Sequence, residues 1–214
     1  MRILRAFLAV VFQLLYHPFA WSYDLVAAVV SLGRWQDWIM QIRPYLRGRV
    51  LELGFGPGHL QAALAEDGLE SYGLEESRQM GRQARRRLRK KGCPVRLSRG
   101  LARHLPFPES TFDRVACSFP AEYIFESQTL NEIWRVLKPG GRLVLLPSAW
   151  ITGRRPLERL LAGLFQVTGQ AGKLETVVPE MRQHIAAHGF QVSHALLELA
   201  GSRVLVVVGE KRKG

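Results

Sequence analysis

The stretch RVLELGFGPGHL, residues 49–60, decides the fold, because a short apolar run ends there in three closely spaced glycines. An apolar run of this length is typical of a buried strand, and glycines directly after it let the backbone approach a ligand. Pro57 fixes its φ angle just as a helix begins. The stretch therefore predicts a strand, a ligand-binding loop and a helix in immediate succession.

The residues that follow continue this alternation of strands and helices. Apolar runs typical of strands lie at Val50–Leu53, Ser71–Leu74, Val95–Leu97, Phe112–Cys117 and Leu143–Leu146. Helical patterns lie between them at Leu60–Glu66, Ser77–Lys91 and Ser127–Leu137, and Pro139-Gly140-Gly141 is expected to stop the last of these helices. The alternation predicts an α/β fold in which helices cover a parallel sheet and ligands bind at the strand ends.

The end of the chain has a different pattern. Val178–His188 is predicted to form a helix that ends at Gly189, and the strands Phe190–Leu197 and Val204–Gly209 follow it. A tight turn at Gly201-Ser202 separates these two strands. Two strands joined in this way must be antiparallel, so the sheet is expected to finish with a reversed strand.

Composition indicates an ordinary globular protein, with 47% apolar and 22% charged residues among 214. The two cysteines, Cys93 and Cys117, are too few to staple a chain of this length, which favours a reducing, cytoplasmic compartment. His184 and His188 have helical spacing, but no H-E-x-x-H motif accompanies them. We therefore predict no metal site.

The net charge of +12 is concentrated in one segment. Residues 78–91 contain eight basic residues and no acidic one, so the rest of the chain carries only +4. Three interpretations stay open: a solvated helix face, a contact with an anionic membrane surface, or a nucleic-acid contact. Nucleic acid is the least favoured partner, because no aromatic residue is interleaved for base stacking.

Residues 1–46 are predicted to form an apolar helical cap, and residues 47–214 the main domain. The apolar run Ala6–Tyr16 is too short to span a bilayer, and Pro18 interrupts it. The segment Ile3–Tyr16 therefore either lies in a membrane interface, which would make the protein peripheral to the inner membrane face, or packs as a lid on the core. An amphipathic helix is predicted next from the apolar residues Leu25, Val29, Leu32, Trp35 and Ile39.

The glycine spacing bears on the nucleotide that the loop binds. In the dinucleotide fingerprint G-x-G-x-x-G the sixth position is glycine, whereas here it is His59, and no G-K-[ST] follows for a P-loop. A nicotinamide oxidoreductase is therefore a weak alternative. Glu52 at the strand end is placed to meet a ligand ammonium, and Glu75, 21 residues after Gly54, is placed to accept both hydroxyls of a ribose.

Four motifs together point to a family. VLELGFGPGHL, YGLEES, LPFPESTFDRVACSF and LNEIWRVLKPGGRLVLLP resemble, in order, the motifs of class I S-adenosylmethionine-dependent methyltransferases across residues 49–147. The resemblance implies a Rossmann-like sheet of seven strands, mostly parallel, with an antiparallel last strand. It also implies an enzyme whose cofactor is S-adenosyl-L-methionine.

The resemblance carries a set of cofactor-binding residues onto this chain. It implies that Gly54, Phe55, Gly56 and Gly58 surround the methionine part, with Glu52 beside it and Glu75 on the ribose. The family usually has an acidic residue after the glycine of SRGLARHLPFP, where this chain has Leu101. Adenine recognition would then rest on the backbone of Leu101 and Ala102, while Ser118 and Phe119 close over the methyl group.

The acceptor is predicted to be a small apolar or lipid-like molecule. The stretch YDLVAAVVSLGRWQDW resembles the entry helix of methyltransferases that act on ubiquinone and menaquinone precursors, and Leu157, Leu160, Leu161 and Leu164 would add a second apolar wall. The predicted acceptor-binding residues are Tyr23, Pro120, Tyr123 and Trp150. The alternative hypothesis is a non-catalytic module that keeps the fold and binds a membrane or a protein.

The reaction predicted from the resemblance is an in-line displacement on the sulfonium, which needs alignment and exclusion of water but no covalent intermediate. A general base is needed only if the acceptor loses a proton in the step. His17, Tyr23, His104 and Tyr123 are candidates by position, and the sequence does not choose among them.

Overall fold

Seven strands form one mixed sheet in the computed structural model, which describes residue 31, residues 33–152 and residues 174–212. The strands are β1 (Arg49–Leu53), β2 (Glu70–Glu75), β3 (Leu97–Arg99), β4 (Phe112–Ser118), β5 (Leu137–Ile151), β6 (Phe190–Leu199) and β7 (Ser202–Lys211). Their order in the sheet is β3-β2-β1-β4-β5-β7-β6. All pairs from β3 to β5 are parallel, and β7 runs antiparallel to both β5 and β6. The predicted α/β fold with a reversed last strand is confirmed.

Helices cover both faces of this sheet. They are α1 (Trp35–Met40), α2 (His59–Glu66), α3 (Arg78–Lys90), α4 (Ser127–Val136) and α5 (Leu174–Ala187), with short 3-10 helices at Arg43–Tyr45 and Glu122–Phe125. On one face α1 and α2 bury Trp38 and Leu60 against the sheet, and on the other α4 and α5 bury Ile133 and Ile185. Helices α3 and α4 each bury one stripe of residues, whereas α2 buries five consecutive residues, so the sheet is protected from water on both sides.

Two predicted boundaries are wrong. The strand predicted at Val95–Leu97 begins only at Leu97, the buried residue of β3, because the chain before it is exposed or half-buried and Pro94 has no N–H to donate. The glycines of Pro139-Gly140-Gly141 do not stop α4. That helix already ends at Val136, because Leu137 takes an extended conformation and pairs with Phe112. The glycines instead lie at an irregularity inside β5.

The described part of the N-terminal segment packs on the sheet. The Ser31 hydroxyl, one turn before the start of α1, accepts a hydrogen bond from the Trp35 backbone N–H at 2.9 Å. The buried Trp38 indole donates to the Ser202 hydroxyl at 3.0 Å and so ties α1 to the start of β7. The predictions for Ile3–Tyr16 and for the leucines at positions 157–164 fall outside the described residues. Among the helices that the structure does describe, none combines the length and the apolar character needed to cross a bilayer.

Candidate functional site

A cavity of about 700 Å³ opens at the carboxyl ends of β1, β2, β3 and β4. Parallel strands bring the loops that follow them to one edge of the sheet, and ligands bind at that edge in open α/β folds. Most of the predicted site residues meet there: Glu52, Gly54, Phe55, Gly56, Glu75, Leu101, Ala102, Ser118, Phe119 and Tyr123. Their roles toward a ligand remain predictions.

The glycine-rich loop after β1 forms the floor of the cavity. Gly54 and Gly56 have φ angles of +66° and +52°, a region that glycine enters without steric cost. A Cβ atom on Gly54 would stand 2.7 Å from the Tyr123 hydroxyl, while the space beside Gly56 is open for 4 Å. The loop therefore presents bare backbone to the cavity at both positions.

Gly58 has a packing role, and its predicted contact with the methionine part of the cofactor stays a prediction. It is absent from the cavity wall and caps α2 with a φ of +81°. A Cβ atom there would come within 2.7 Å of the Ala84 Cβ on α3. Gly58 therefore allows close packing of α2 against α3.

Phe55 anchors the same loop in the interior. Its side chain is 4% exposed and packs with Ala84, Leu88 and Leu97. Gly73 on β2 makes the space for it, since a Cβ atom there would overlap the Phe55 ring at 2.5 Å. Gly73 was not predicted from the sequence as part of the site, although a glycine inside a strand commonly marks the close approach of another group.

Glu75 ends β2 and connects two loops. Its Oε2 accepts from the Gly56 backbone N–H at 3.0 Å, and its Oε1 accepts from the Ser77 backbone N–H at 2.8 Å. Burial raises the pKa of this carboxyl, and the two backbone donors partly offset that effect. Glu75 thus holds the glycine loop against the start of α3 and also lines the cavity, where its predicted ribose contact would form.

Glu52 is a buried carboxyl in the cavity wall. It is 2% exposed, and Gln61 on α2 donates to its Oε2 at 2.8 Å. Burial raises the pKa of Glu52 to about 8, since the hydrogen bond from Gln61 compensates only part of the lost hydration. Near neutral pH the group is therefore mostly protonated, and a cation entering the cavity would favour its charged form.

Two side chains of α4 hold the loop after β3 by hydrogen bonds. Glu132 on α4 accepts from the Leu105 backbone N–H at 2.7 Å, and the Arg135 guanidinium donates to the carbonyls of Leu105 and Phe107 at 3.1 and 2.8 Å. At the top of this loop Leu101 is 36% exposed on the cavity wall. The loop has a fixed shape, but its side chain at position 101 is an apolar one.

An aromatic wall closes the end of the cavity beside β4. Phe119 follows that strand with a φ of +48°, and its backbone N–H donates to the Leu146 carbonyl at 2.7 Å. The Trp35 ring stacks on it at a centroid distance of 4.0 Å and an angle of 21°. Trp35 and Ile39 line the cavity although they were not predicted as site residues. Their helical spacing indicated only that they would be buried.

Five further predicted residues are not among those that the structure places on the cavity wall. Tyr23 is outside the described residues, as is His17. Pro120 and Trp150 are not part of the described cavity wall, and Trp150 sits on β5 opposite Arg203 of β7. His104 lines a separate shallow hollow with Glu132. Tyr123 is therefore the candidate base or acceptor ligand that the structure brings to the cavity.

Metal ligation has no support in residues 33–152 and 174–212, where no three His, Cys, Asp or Glu side chains cluster. The rings of His184 and His188 are 5.2 Å apart, and His184 Nε2 lies 2.5 Å from the Phe125 carbonyl. This pair is therefore engaged in packing α5 against the end of the Glu122–Phe125 helix.

The fold and this cavity define a Rossmann-like enzyme. It binds a nucleoside-containing cofactor at the sheet edge where β1, β2, β3 and β4 end. Residues 50–141 match the sequence model of a family described as "Methyltransferase domain". The chain is 32% identical to a demethylmenaquinone methyltransferase of Deinococcus radiodurans, covering 94% of this chain and 92% of that relative. It is 35% identical to the ubiquinone/menaquinone biosynthesis C-methyltransferase UbiE of Yersinia enterocolitica, over 61% of this chain and only 56% of that protein.

A solved structure supports the same fold. The crystal structure of a SAM-dependent methyltransferase from Methanosarcina mazei superposes with a TM-score of 0.59 at 21% identity, covering 81% of this chain and 98% of that one. The protein belongs to the class I S-adenosylmethionine-dependent methyltransferases, and S-adenosylmethionine is its cofactor.

The residues present fit this cofactor. Gln79 and Thr129 line the cavity, and their buried oxygens Oε1 and Oγ1 have no hydrogen-bond partner among the residues that the structure describes. Bare backbone at Gly54 and Gly56 and the carboxyls of Glu52 and Glu75 complete a cradle for a cationic, ribose-containing molecule.

Proposed function

We propose that this enzyme transfers the methyl group of S-adenosylmethionine to a small, apolar, quinone-like aromatic acceptor. The relatives named above act, by their names, on demethylmenaquinone and in ubiquinone and menaquinone biosynthesis. The observation that carries the proposal is the stack of Trp35 on Phe119 in the wall of the cofactor cavity.

This aromatic wall suits a flat apolar ring. Phe119 is held at positive φ, which costs a bulky residue about 1 kcal/mol or more and persists only where the surroundings enforce it. Its Leu146 hydrogen bond and the Trp35 ring supply that enforcement. Aromatic rings bind other rings by offset stacking, so an acceptor ring lying against Trp35 and Phe119 would sit at the Gly54 end of the cavity.

The chain's own contribution to the reaction is alignment and protection from water. Bound S-adenosylmethionine supplies a methyl group that the positive sulfur has already activated. Glu52 in its charged form stabilises the cationic end of the cofactor, and Glu75 fixes the loop beneath it. The Tyr123 hydroxyl, which lies over Gly54, would donate a hydrogen bond to an acceptor oxygen. Nucleophilic attack therefore comes from the acceptor itself.

A direct assay tests the proposal. The full chain is incubated with S-adenosylmethionine and a short-chain demethylmenaquinone, supplied oxidised or chemically reduced, and products are followed by mass spectrometry. We expect one methyl group to be added to the reduced form, because an electron-rich ring carbon is the better nucleophile. Cofactor binding without turnover of either form would overturn the acceptor class while leaving the family assignment intact.

A matched pair of variants localises the acceptor. Trp35→Ala should raise the KM for the acceptor by about tenfold with little change in cofactor Kd, since it removes one stacking face. Leu196→Ala, at an exposed apolar side chain on β6, should change neither value. An unchanged acceptor KM in Trp35→Ala would contradict a role of the aromatic wall.

We also propose that the enzyme works at the cytoplasmic, inner face of an anionic membrane, where an apolar acceptor would reside. Helix α3 turns Met80, Ala84 and Leu88 inward and exposes a basic face formed by Arg78, Arg82, Arg85, Arg86, Arg89 and Lys90. Each basic residue close to an anionic leaflet contributes about 1 kcal/mol of attraction. The basic face of α3 thus has the charge complementarity that the proposal needs.

Vesicle sedimentation tests this second proposal. The protein should bind phosphatidylglycerol vesicles but not phosphatidylcholine vesicles, and Arg82→Glu/Arg86→Glu should abolish binding. The control Arg47→Glu/Arg212→Glu makes the same change in net charge at exposed positions outside α3. It should retain most of the vesicle binding. An equal loss of vesicle binding in both variants would reject the basic face of α3 as a local docking surface. If the unmodified protein binds an oligonucleotide but not vesicles, nucleic acid becomes the favoured partner instead.

A further inference from the structure

The loop after β3 exposes an apolar residue beside the cofactor cavity. Leu101 is 36% exposed, and among the residues that the structure describes Leu196, at 39%, is the other large apolar residue with such exposure. Leu101 lines the cavity, whereas Leu196 lies on β6 and is not part of the described cavity wall. A single exposed leucine is common on protein surfaces, so its surroundings decide whether it has a role.

Arginines flank Leu101 at the rim of the cavity. Arg99 and Arg103 lie two residues before and after it, and Arg78 begins α3. All three arginines are exposed and line the same cavity as Leu101. Glu76 is exposed at the same edge, where the arginines outnumber it. The rim is therefore a cationic surface that includes one exposed apolar residue.

Hydrogen bonds join this rim to the basic face of α3. The Gly100 backbone N–H donates to the Glu75 carbonyl at 3.2 Å, and the Arg99 guanidinium donates to the Glu76 carbonyl at 2.9 Å. These contacts hold the end of β3 beside the end of β2. Arg78 follows Glu76 by two residues and belongs to the basic face of α3. The rim and the basic face of α3 are therefore parts of one continuous surface.

The loop that carries Leu101 has a fixed shape. The His104 backbone N–H donates to the Leu101 carbonyl at 3.0 Å and closes a turn. The Arg135 guanidinium holds the next part of the loop through the carbonyls of Leu105 and Phe107. Because the turn is already formed, this loop would lose little conformational entropy when its exposed residues bind a surface.

We infer that the segment 99–103 enters the surface of an anionic bilayer, with Leu101 at the acyl boundary and the flanking arginines at the lipid phosphates. The inference rests on the membrane contact proposed above and adds the orientation of the docked enzyme. Since Leu101 and Arg103 line the cavity, its mouth would open at the bilayer surface, where an apolar acceptor resides. A leucine at position 101 suits this role, because anionic lipid would repel a carboxylate there.

A fluorescent label tests whether position 101 enters the bilayer. Leu101→Cys in a Cys93→Ser background has one accessible thiol, because Cys117 is buried, and it is labelled with nitrobenzoxadiazole. Phosphatidylglycerol vesicles should raise the emission and shift it to shorter wavelength, and phosphatidylcholine vesicles should change neither. Leu196→Cys, labelled in the same background, is the matched control and should show no change with either lipid.

Vesicle affinity gives a second measurement. Leu101→Ser should weaken the binding of phosphatidylglycerol vesicles about fivefold, because an apolar contact with the acyl boundary is lost. Arg103→Gln should weaken it by about the same factor through the loss of one positive charge. Leu101→Asp combines both kinds of loss and should weaken vesicle binding more than either variant, whereas Leu196→Asp should have a much smaller effect.

Two results would overturn the inference. If labelled Leu101→Cys sediments with phosphatidylglycerol vesicles and its emission does not change, segment 99–103 stays in water and only the basic face of α3 makes the contact. An equal loss of vesicle binding in Leu101→Asp and Leu196→Asp, at unaltered melting temperatures, would likewise show that position 101 is not special. Failure of the unmodified protein to sediment with these vesicles would reject the membrane contact as well. The assay with a short-chain acceptor in solution decides the acceptor class separately.

Discussion

One amide on α2 holds the buried carboxyl at the end of β1: Gln61 Nε2 donates to Glu52 Oε2 at 2.8 Å and to the Tyr72 carbonyl at 3.0 Å. Burial raises the pKa of Glu52 to about 8, and Gln61 lowers it only in part. If Glu52 holds the cationic end of the cofactor as proposed, that end would meet a group that exchanges its proton within the physiological pH range.

Cofactor binding should release a proton from Glu52. At pH 7 the empty site is mostly protonated, and the positive sulfonium and ammonium groups favour the carboxylate, so binding lowers the pKa of Glu52. The affinity for S-adenosylmethionine should rise as the pH increases toward 8 and then level off. Calorimetry at pH 7 in buffers of different ionisation enthalpy measures the protons released per bound cofactor.

Glu52→Gln is the control for that measurement, because it keeps a hydrogen-bond acceptor for Gln61 and removes the titration. Its cofactor affinity should be lower than that of the unmodified protein at pH 8 and nearly independent of pH. Proton release of the same size in both proteins would assign the titration to another group.

The same carboxyl should make folding stability depend on pH. The pKa of Glu52 is raised in the folded protein from an ordinary value of 4.5, so the folded state holds the proton more tightly than the unfolded chain. The stabilisation is complete below about pH 4.5 and is lost as the pH rises through 8. Glu52→Gln should therefore melt several degrees higher than the unmodified protein at pH 9, with a smaller difference at pH 6. A difference that does not change with pH would contradict this account.

Gly58 and Gly81 provide a matched comparison of two glycines near α3. Gly58→Ala should lower the free energy of unfolding by about 2 kcal/mol, because it combines strain at positive φ with a 2.7 Å contact to Ala84. Gly81 has open space and ordinary helical geometry, so Gly81→Ala should stabilise by about 0.5 to 1 kcal/mol. Urea unfolding measures both.

Cofactor affinity separates packing from binding at the same glycine. Folded Gly58→Ala should bind S-adenosylhomocysteine nearly as well as the unmodified protein, since Gly58 does not line the cavity. A large loss of affinity for S-adenosylhomocysteine without a change in stability would instead indicate that Gly58 contacts the ligand.

The fold could be predicted because the evidence for it is local. Alternating apolar runs and amphipathic helices specify a layered sheet, and the short turn at Gly201 requires β6 and β7 to be antiparallel. Boundaries failed where tertiary contacts decide them. Leu137 leaves α4 because it is fully buried opposite Phe112, and its own apolar character fits either a helix or a strand.

Much of the cavity wall was predictable from backbone geometry and from the family motifs, which place Glu52, Leu101 and Ser118 at strand ends or just after them. The spacing of Gly54, Gly56 and Glu75 showed where the chain must bend or end a strand. Trp35 was missed because its role arises from contact with Phe119, which lies far away along the chain.

Cys117 should be chemically inert in the folded protein. Burial raises the pKa of its thiol to about 12, and the Tyr123 hydroxyl at 3.6 Å offsets this only in part. Iodoacetamide at pH 8 should modify the half-buried Cys93 alone, and both thiols after denaturation. Methyl transfer should survive the native modification. Rapid labelling of Cys117 in the native protein, read by peptide mass spectrometry, would contradict the burial on which this rests.

Glu75 is expected to act on the cofactor in two ways, through the loop and through the ribose. Its carboxylate accepts backbone hydrogen bonds from Gly56 and Ser77, so Glu75→Ala should loosen the loop and weaken S-adenosylhomocysteine by tenfold or more. Loop loosening alone would weaken ribose and deoxyribose ligands equally.

The ribose contact of Glu75 can be isolated by combining the variant with an altered ligand. The unmodified protein should bind S-adenosylhomocysteine more tightly than its 2′-deoxy analogue, because a carboxylate accepts strongly from the missing hydroxyl. In Glu75→Ala that preference should vanish, since the variant has already lost the partner of the hydroxyl. A 2′-deoxy penalty of the same size in both proteins would restrict Glu75 to holding the loop and move ribose recognition to another residue of the cavity wall.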